Sequence, residues 1–235
     1  MKQKLLPVKL RRDELERSLG GGLPQSSVIL LEGPDGAGKS IVSQRLCYGV
    51  LRGEKTVTYI SSELNTQGFI EQMASLDYDI KYDMLDDKLL FIPMFPYYGQ
   101  SRLNGDMLQK LMNCKRIFES EVIIFDTLSF LLLNDNIAQE ECVQFIGFLK
   151  QLSSLEKTVI VNIDPEHLHG KQAMLTMIKS VCDVILDLEL RTFAGSLVRL
   201  INVKRFKRSG AEVLNSIPFR VEPGKGLVIE IASFS

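Results

Sequence analysis

The segment best suited to chemistry is a glycine-rich loop with the spacing G-x-x-x-x-G-K-S/T near the start of the chain. It consists of Gly33, Pro34, Asp35, Gly36, Ala37, Gly38, Lys39 and Ser40, and Ile41 follows it directly. Glycines let backbone N–H groups turn inward around phosphate oxygens, and a helix that begins there adds a favourable dipole. Lys39 supplies a cation for the β- and γ-phosphates, and Ser40 supplies a hydroxyl for Mg²⁺. The pattern therefore predicts that residues 33–41 bind a nucleoside triphosphate with magnesium.

A carboxylate at the end of a buried strand is the expected partner of this loop. Four apolar residues, Val122 to Phe125, precede Asp126, and ligands of open α/β sheets bind at the carboxyl ends of strands. Asp126 would there accept a hydrogen bond from a water bound to Mg²⁺. An apolar run followed by Asp is common, so the prediction depends on its combination with the glycine-rich loop. We predict Ser40 and Asp126 as the metal-binding residues.

Hydrolysis also needs a group that activates the attacking water. Glu63 is the candidate for this catalytic role because it closely follows the predicted strand Val57–Ile60. The alternative is a solvated loop carboxylate. Asn162, which follows the predicted strand Val159–Val161, would be placed to sense the γ-phosphate, although a hydrogen-bonded strand-end amide is the more common role.

Short apolar runs that alternate with helical patterns would position these residues. Strands are predicted at Val28–Leu31, Val57–Ile60, Leu89–Ile92, Val122–Phe125 and Val159–Val161. Helical spacing covers Ile41–Leu51, Asn104–Phe118 and Gln139–Leu152. Near-continuous apolar runs are typical of parallel strands that helices cover on both faces. The alternation predicts a three-layer α/β fold.

The pattern changes after Asp183. Residues 184–190, 197–203 and 227–231 are strand-like, with no helical pattern between them. We predict an antiparallel extension of the same sheet, and hence one domain over residues 1–235, with an N-terminal segment at 1–26 and a β-rich extension at 183–235. The stretches Ser61–Lys88 and Met94–Arg102 fit no single pattern.

Composition limits the function classes. The chain of 235 residues is 45% hydrophobic, and its 28 basic and 29 acidic residues leave a formal charge of −1. This hydrophobic content excludes a disordered or fibrous chain, and the lack of a basic excess argues against nucleic-acid binding by electrostatics. Four cysteines without a C-x-x-C pair predict reduced, buried thiols of a cytosolic protein.

Membrane insertion is not expected from the sequence. The N-terminus has no signal-peptide pattern. The most apolar stretch, Val122–Leu133, is interrupted by Asp126 and is too short to cross a bilayer. We therefore expect a cytoplasmic protein that reaches a membrane only through its partners.

Several motifs, in chain order, resemble the KaiC-like branch of the RecA superfamily. They are Leu19–Pro24, the glycine-rich loop, Tyr59–Glu63, Phe125–Ser129, Ile217–Val221 and Gly226–Ile229. Within this branch, residues 20–40 and the short single domain are most similar to the ATP-binding accessory family of the archaellum, the archaeal motility filament. The resemblance covers nearly the whole chain and implies a RecA-like P-loop fold.

The resemblance also implies ligands and partners. It implies that ATP and Mg²⁺ bind, and that the protein docks on the archaellum motor beside an assembly ATPase and a membrane platform protein. It implies a homo-oligomeric ring, hexameric in related proteins, whose assembly or docking depends on nucleotide. Clock-type members carry two adjacent glutamates, whereas Leu64 follows Glu63 here. This favours a nucleotide sensor with slow or no hydrolysis.

A cationic run near the end of the chain has two interpretations. Lys204, Arg205, Lys207 and Arg208 flank Phe206. KaiC-like proteins place basic residues in this region that reach a neighbour's phosphates, so these cations would complete the site of an adjacent subunit. The alternative is a solvated strand end or hairpin.

Other functions of the loop motif are less well supported. An active RecA-like or clock ATPase is the main alternative, but a DNA recombinase would carry basic, glycine-rich loops where this chain has Leu131–Asn136 and then two glutamates. A kinase would need an arginine-bearing lid, and Met174–Val181 offers only a lysine. His167 and His169 lack partners at metal-ligand spacing, so no metal is predicted there.

Overall fold

The structure, a computed structural model, describes residues 4–11, 13–94, 107–128, 139–168, 172–193 and 196–230. Some sequence predictions concern residues outside these ranges. They are most of the unassigned stretch 94–102, the predicted helix start at 104–106, Ser129, the segment 131–136, His169 and Ile231.

Strands make up the centre of the described structure. They are β1 (Leu5–Leu6), β2 (Leu23–Pro24), β3 (Val28–Glu32), β4 (Val57–Ser61), β5 (Leu89–Pro93), β6 (Val122–Asp126), β7 (Thr158–Ile163), β8 (Val184–Phe193), β9 (Ser196–Phe206), β10 (Ser216–Glu222) and β11 (Gly226–Ile229). Within the described residues, β1 and β2 form a small antiparallel sheet, and the other nine form one sheet in the order β11-β10-β9-β8-β3-β7-β6-β4-β5.

The large sheet is mostly parallel. Strands β3 to β8 run parallel to one another, and β9, β10 and β11 continue the sheet antiparallel from β8. Ser61 lies opposite Asp126 in the register of β4 and β6, and Leu31 lies opposite Asn162 in that of β3 and β7. The carboxyl ends of the parallel strands therefore lie on the same side of the sheet, and the predicted site residues lie there.

Helices cover both faces of the sheet. They are α1 (Leu15–Ser18), α2 (Lys39–Arg52), α3 (Thr66–Ser75), α4 (Lys81–Leu85), α5 (Met107–Asn113), α6 (Gln139–Ser154) and α7 (Gln172–Val181). Side chains alternate across a strand, so Ile29 and Leu31 of β3 join the core beneath α2 and α3, whereas Val28 and Leu30 join the core beneath α6 and α7. The predicted α/β architecture with an antiparallel extension is confirmed.

Details of several elements differ from the sequence predictions. The helix expected to end at Phe118 ends at Asn113, because Cys114 leaves the helical conformation at φ −82° and ψ 75°. A 3₁₀ turn over Lys115–Phe118 follows and brings the Phe118 ring to 4.9 Å from that of Phe148. The unassigned stretch Ser61–Lys88 contains α3 and α4.

A buried ion pair ties the N-terminal segment to α2. The Arg45 guanidinium donates to both carboxylate oxygens of Asp13, at 2.7 and 2.6 Å, and to the carbonyl oxygen of Val8 at 2.6 Å. Both charged side chains are at most 1% exposed. Since a buried charge without a partner is costly, this contact fixes Val8 and Asp13 against the helix that follows the glycine-rich loop.

The cysteines are only partly as expected. Cys47, Cys142 and Cys182 are buried, whereas Cys114 is exposed because it lies at the break after α5. Burial raises the pKa of the Cys182 thiol to about 12. In the part of the chain that the structure describes, no helix combines the length and the apolar character needed to cross a membrane.

Candidate functional site

The glycine-rich loop joins β3 to α2 as predicted. Gly38 directly precedes α2 and has φ 98°, a left-handed conformation that favours glycine. The Lys39 ammonium donates to the carbonyl oxygens of Gly33 at 2.7 Å and Pro34 at 2.9 Å. Its side chain is only 7% exposed. Hydrogen bonds to the start of the loop therefore hold the Lys39 side chain, and its charge lies near the N-terminus of α2.

Acidic groups surround this lysine on the outer side of the loop. The Lys39 ammonium lies 3.7 Å from a carboxylate oxygen of the buried Asp164 and 3.9 Å from one of the exposed Asp35. His167 lies near Asp35 as well, with 3.8 Å between its Nε2 and the carboxylate. Asp35 belongs to the loop and Asp164 follows β7, so the charge of Lys39 is partly balanced by the chain itself.

Asp126 stands at the centre of a buried hydrogen-bond network. Its Oδ1 accepts hydrogen bonds from the Ser40 hydroxyl at 2.8 Å and the Asn162 amide at 2.7 Å. Its Oδ2 accepts one from the Tyr59 hydroxyl at 2.6 Å. Ser43 donates in turn to Asn162 Oδ1 at 2.8 Å. The carboxylate is thus fixed beside the loop by three donors from three elements.

The oxygen atoms of Ser40 and Asp126 suit magnesium. A hydroxyl and a carboxylate are hard oxygen ligands, the type that Mg²⁺ prefers, and this ion is usually held by few protein groups together with substrate phosphates. The direct hydrogen bond between the two side chains shows that they share one small space. The residues present therefore fit the predicted metal.

Glu63 lies at the open rim of the same cleft, after β4. Its carboxylate accepts a hydrogen bond from the Thr127 hydroxyl at 3.1 Å. Partial burial and the nearby charge of Asp126 raise the pKa of Glu63 above its ordinary value, and the Thr127 bond opposes this only in part. A carboxylate with a raised pKa is a better proton acceptor near neutral pH.

Strands β8, β9 and β10 pack closely against one side of the glycine-rich loop. Arg199 of β9 donates from Nε to the carbonyl oxygen of Gly36 at 3.2 Å. A Cβ added to Gly38 would lie 3.0 Å from the ring of Phe219 on β10, and one added to Gly33 would lie 2.3 Å from the Leu188 carbonyl oxygen. The loop can approach these strands so closely only because glycine has no side chain.

Together these elements enclose a cleft of about 410 Å³. It is lined by Asp35, Gly36, Gly38, Lys39, Ser40, Ile41, Gln44, Glu63, Leu64, Gln72, Asp126, Thr127, Arg199 and Val221. Gly33, Pro34 and Ala37 belong to the loop but do not line the cleft. The structure thus brings the predicted Glu63, Lys39, Ser40 and Asp126 to one place.

The end of the cationic run lies at the end of the sheet opposite to the loop, whereas Lys204 lies beside Asp187, which pairs with Glu32 directly before the loop. Phe206 pairs with Val184, the first residue of β8. Arg205 donates to the carbonyl oxygens of Lys179 and Cys182, and Arg208 to those of Gln25 and Ser26.

The two lysines of the run are also engaged within the chain. The Lys204 ammonium lies 3.3 Å from Asp187, and the Lys207 ammonium lies 3.7 Å from Asp183. A role of these cations at a neighbour's phosphates stays a prediction, and it would require the intrachain contacts to be exchanged.

Sequence reasoning missed several residues of the site, including Tyr59, Arg199 and Gln44. Tyr59 looks like an ordinary member of a buried strand, Arg199 is 163 residues from its partner Gly36, and Gln44 lies within a helix. Of these three, only Gln44 could have been predicted from the sequence. It is four residues after Ser40 and therefore lies on the same face of the helix.

Comparisons with known proteins identify the family and relatives of this chain. The family model described as "ATPase: KaiC" matches residues 11–233. The archaeal flagellar ATP-binding protein FlaH of Methanocaldococcus jannaschii is 36% identical over 97% of each chain. FlaH of Methanococcus voltae is 33% identical over 98% of this chain and 99% of the relative.

A solved structure gives the same result. The crystal structure of the flagellar accessory protein FlaH from Methanocaldococcus jannaschii matches with a TM-score of 0.90 and 35% identity, and the match covers 97% of this chain and 100% of that one. The predicted RecA-like, KaiC-type fold and the resemblance to the archaellum accessory family are confirmed. This chain belongs to the KaiC family of ATPases and, within it, to the group of archaeal flagellar FlaH proteins.

Proposed function

We propose that this chain binds ATP with Mg²⁺ at residues 33–41 and serves as a nucleotide-responsive component of the archaeal flagellar machinery. The observation that carries the proposal is the shared cleft in which Lys39, Ser40 and Asp126 meet. Its FlaH relatives are named as archaeal flagellar ATP-binding proteins, which supports both the ligand and the setting.

The residues of the loop have distinct tasks in this proposal. Backbone N–H groups of the loop and the N-terminus of α2 face the phosphates, and Lys39 exchanges its bonds to the Gly33 and Pro34 carbonyls for phosphate oxygens. Ser40 and Asp126 hold the metal. When bound, Mg²⁺ neutralises charge on the phosphates. Tyr59 and Asn162 keep the Asp126 carboxylate in position.

Removal of the loop cation tests the site. Lys39→Ala and Lys39→Met should each lose most of the affinity for ATP in isothermal titration calorimetry, because no other loop residue is cationic. Lys81→Ala, on the exposed surface of α4, is the matched control and should bind like the wild type. Unchanged ATP binding by folded Lys39 variants would refute the site.

We further propose slow or no hydrolysis. Leu64 follows Glu63 directly, so the segment after β4 has one glutamate where clock-type members have two adjacent ones. The Glu63 carboxylate is also hydrogen-bonded to Thr127. The alternative function is an active ATPase, and the observation in its favour is that Glu63 lines the cleft with a raised pKa. A steady-state turnover of the isolated protein in the usual enzyme range, about 1–10³ s⁻¹, would favour the alternative.

Nucleotide is proposed to control assembly or docking. The partners inferred from the family are the assembly ATPase and the membrane platform protein of the archaellum, and the chain itself would form a ring. Since a ligand shifts an equilibrium only by its differential affinity for the two states, ATP must prefer the assembled form over the separate subunits by a larger factor than ADP does. Analytical ultracentrifugation with each nucleotide tests this, and identical sedimentation in both would contradict it.

A further inference from the structure

One buried polar group in the cleft has no partner. The Gln44 side chain is only 1% exposed and lines the cleft. Its amide oxygen, Oε1, accepts no hydrogen bond from any residue that the structure describes. Buried side-chain oxygens in native proteins nearly always have a donor, and an unpaired one is costly. A ligand that fills the cleft is the natural source of this donor.

The position of Gln44 decides which part of a nucleotide can supply the donor. Phosphate oxygens only accept hydrogen bonds, so they cannot pair with an amide oxygen. Gln44 lies one helical turn after Ser40 on the same face of α2, about 5–6 Å further along the helix. The donor is therefore either water bound to the metal or a group of the nucleotide beyond the phosphates, and the apolar side chains that share the cleft favour the nucleotide.

The surroundings of Gln44 favour the base over the ribose. Ile41, Leu64 and Val221 line the same cleft and offer apolar surface, which suits a flat aromatic ring. Gln44 itself is almost completely enclosed, whereas a ribose, attached next to the phosphates, would lie nearer to the loop. Adenine carries a donor on its edge, the exocyclic amino group.

We propose that Oε1 of Gln44 accepts a hydrogen bond from the exocyclic amino group of adenine, so that Gln44 selects ATP over triphosphates that carry a carbonyl oxygen at this position. The inference rests on the proposed function, since it assigns a specificity residue within the same cleft. A carbonyl oxygen of the ligand would face the Gln44 oxygen as a second acceptor and leave both unpaired, and sites of this kind discriminate strongly.

The test compares three nucleotides by calorimetry with Mg²⁺: ATP, inosine triphosphate and 2′-deoxy-ATP. The wild type should bind ATP at least about 10-fold more tightly than inosine triphosphate. Gln44→Met, which has nearly the same size without an amide, should lose most of this preference. Both proteins should bind 2′-deoxy-ATP like ATP. Gln151→Met, the same change on the exposed face of α6, should retain the wild-type preference.

Stability of the variant gives a second readout. Because Gln44→Met removes an unpaired buried amide, its thermal midpoint without nucleotide should equal or exceed that of the wild type. Equal binding of ATP and inosine triphosphate by the wild type, or an unchanged preference in Gln44→Met, would overturn the inference while the proposed function stands. A wild type that discriminates against 2′-deoxy-ATP, with that discrimination lost in Gln44→Met, would also overturn it. A wild type that binds none of the three nucleotides would overturn the proposed function itself.

Discussion

The hydroxyl of Tyr59 offers a sharp test of the network around Asp126. Tyr59→Phe deletes one oxygen atom and leaves the ring, which lies with its centroid 4.8 Å from that of Phe69 and 6.2 Å from that of Phe91. Only the volume of one hydroxyl group is lost. The substitution therefore isolates the 2.6 Å hydrogen bond to Asp126.

The expected magnitude follows from the burial of the acceptor. Asp126 is 3% exposed and keeps its bonds from Ser40 and Asn162, so it loses one of three donors. A hydrogen bond to a charged group contributes about 1.5–3 kcal/mol. We expect a loss of about 2 kcal/mol in the free energy of unfolding, equivalent to a fall of about 4–8 °C in the thermal midpoint for a domain of this size.

Urea denaturation with and without ATP and Mg²⁺ provides the assay. Tyr48→Phe is the matched control, because the Tyr48 ring also stacks on a neighbour, at 4.9 Å from Tyr78, but lies away from Asp126. It should change stability by less than about 0.5 kcal/mol. If Tyr59→Phe were as stable as the control and bound ATP with Mg²⁺ equally well, the Tyr59 hydroxyl would not position Asp126 and the reasoning would fail.

Two further predictions concern charges. Asp13→Ala should lower the free energy of unfolding by about 3–5 kcal/mol, because it leaves the Arg45 guanidinium buried without its counter-ion; Glu14→Ala, at an exposed neighbouring side chain, should have little effect in the same urea titration. Glu63→Gln tests the raised pKa. The folded state holds the Glu63 proton more tightly than the unfolded state, so wild-type stability falls as pH rises above the ordinary glutamate value. The uncharged variant should therefore be more stable than the wild type at neutral pH, and this difference should shrink as pH falls; a difference independent of pH would contradict it.

The part of the site that depends on short sequence motifs was predictable. The loop from Gly33 to Ser40 has a fixed spacing and a fixed context between strand and helix, so its place in the fold follows from local rules. Asp126 followed from the rule that ligands bind at the carboxyl ends of strands. The prediction of the loop depends only on residues close in sequence. The prediction of Asp126 depends on a general property of the carboxyl ends of parallel strands.

The remaining contacts depend on tertiary register and could not be predicted. Whether the Tyr59 hydroxyl meets Asp126 depends on the alignment of β4 with β6, which pairs Tyr59 with Ile124. Arg199 reaches Gly36 only because β9 runs antiparallel to β8 and begins at the loop. The same direction carries the end of β9, at Phe206, to the start of β8, which the sequence pattern alone does not reveal.

The contacts of Arg199 and Phe219 with the glycine-rich loop have a consequence for biosynthesis. The loop leaves the ribosome early, but Arg199 follows Gly36 by 163 residues, a delay on the order of ten seconds at ordinary rates of translation. A nascent chain that ends before β9 already contains Lys39, Ser40 and Asp126, yet one side of its loop is open to water. If the loop binds ATP as proposed, a chain that ends before β9 should bind it more weakly than the finished protein, because the contacts of Arg199 and Phe219 with the loop are missing.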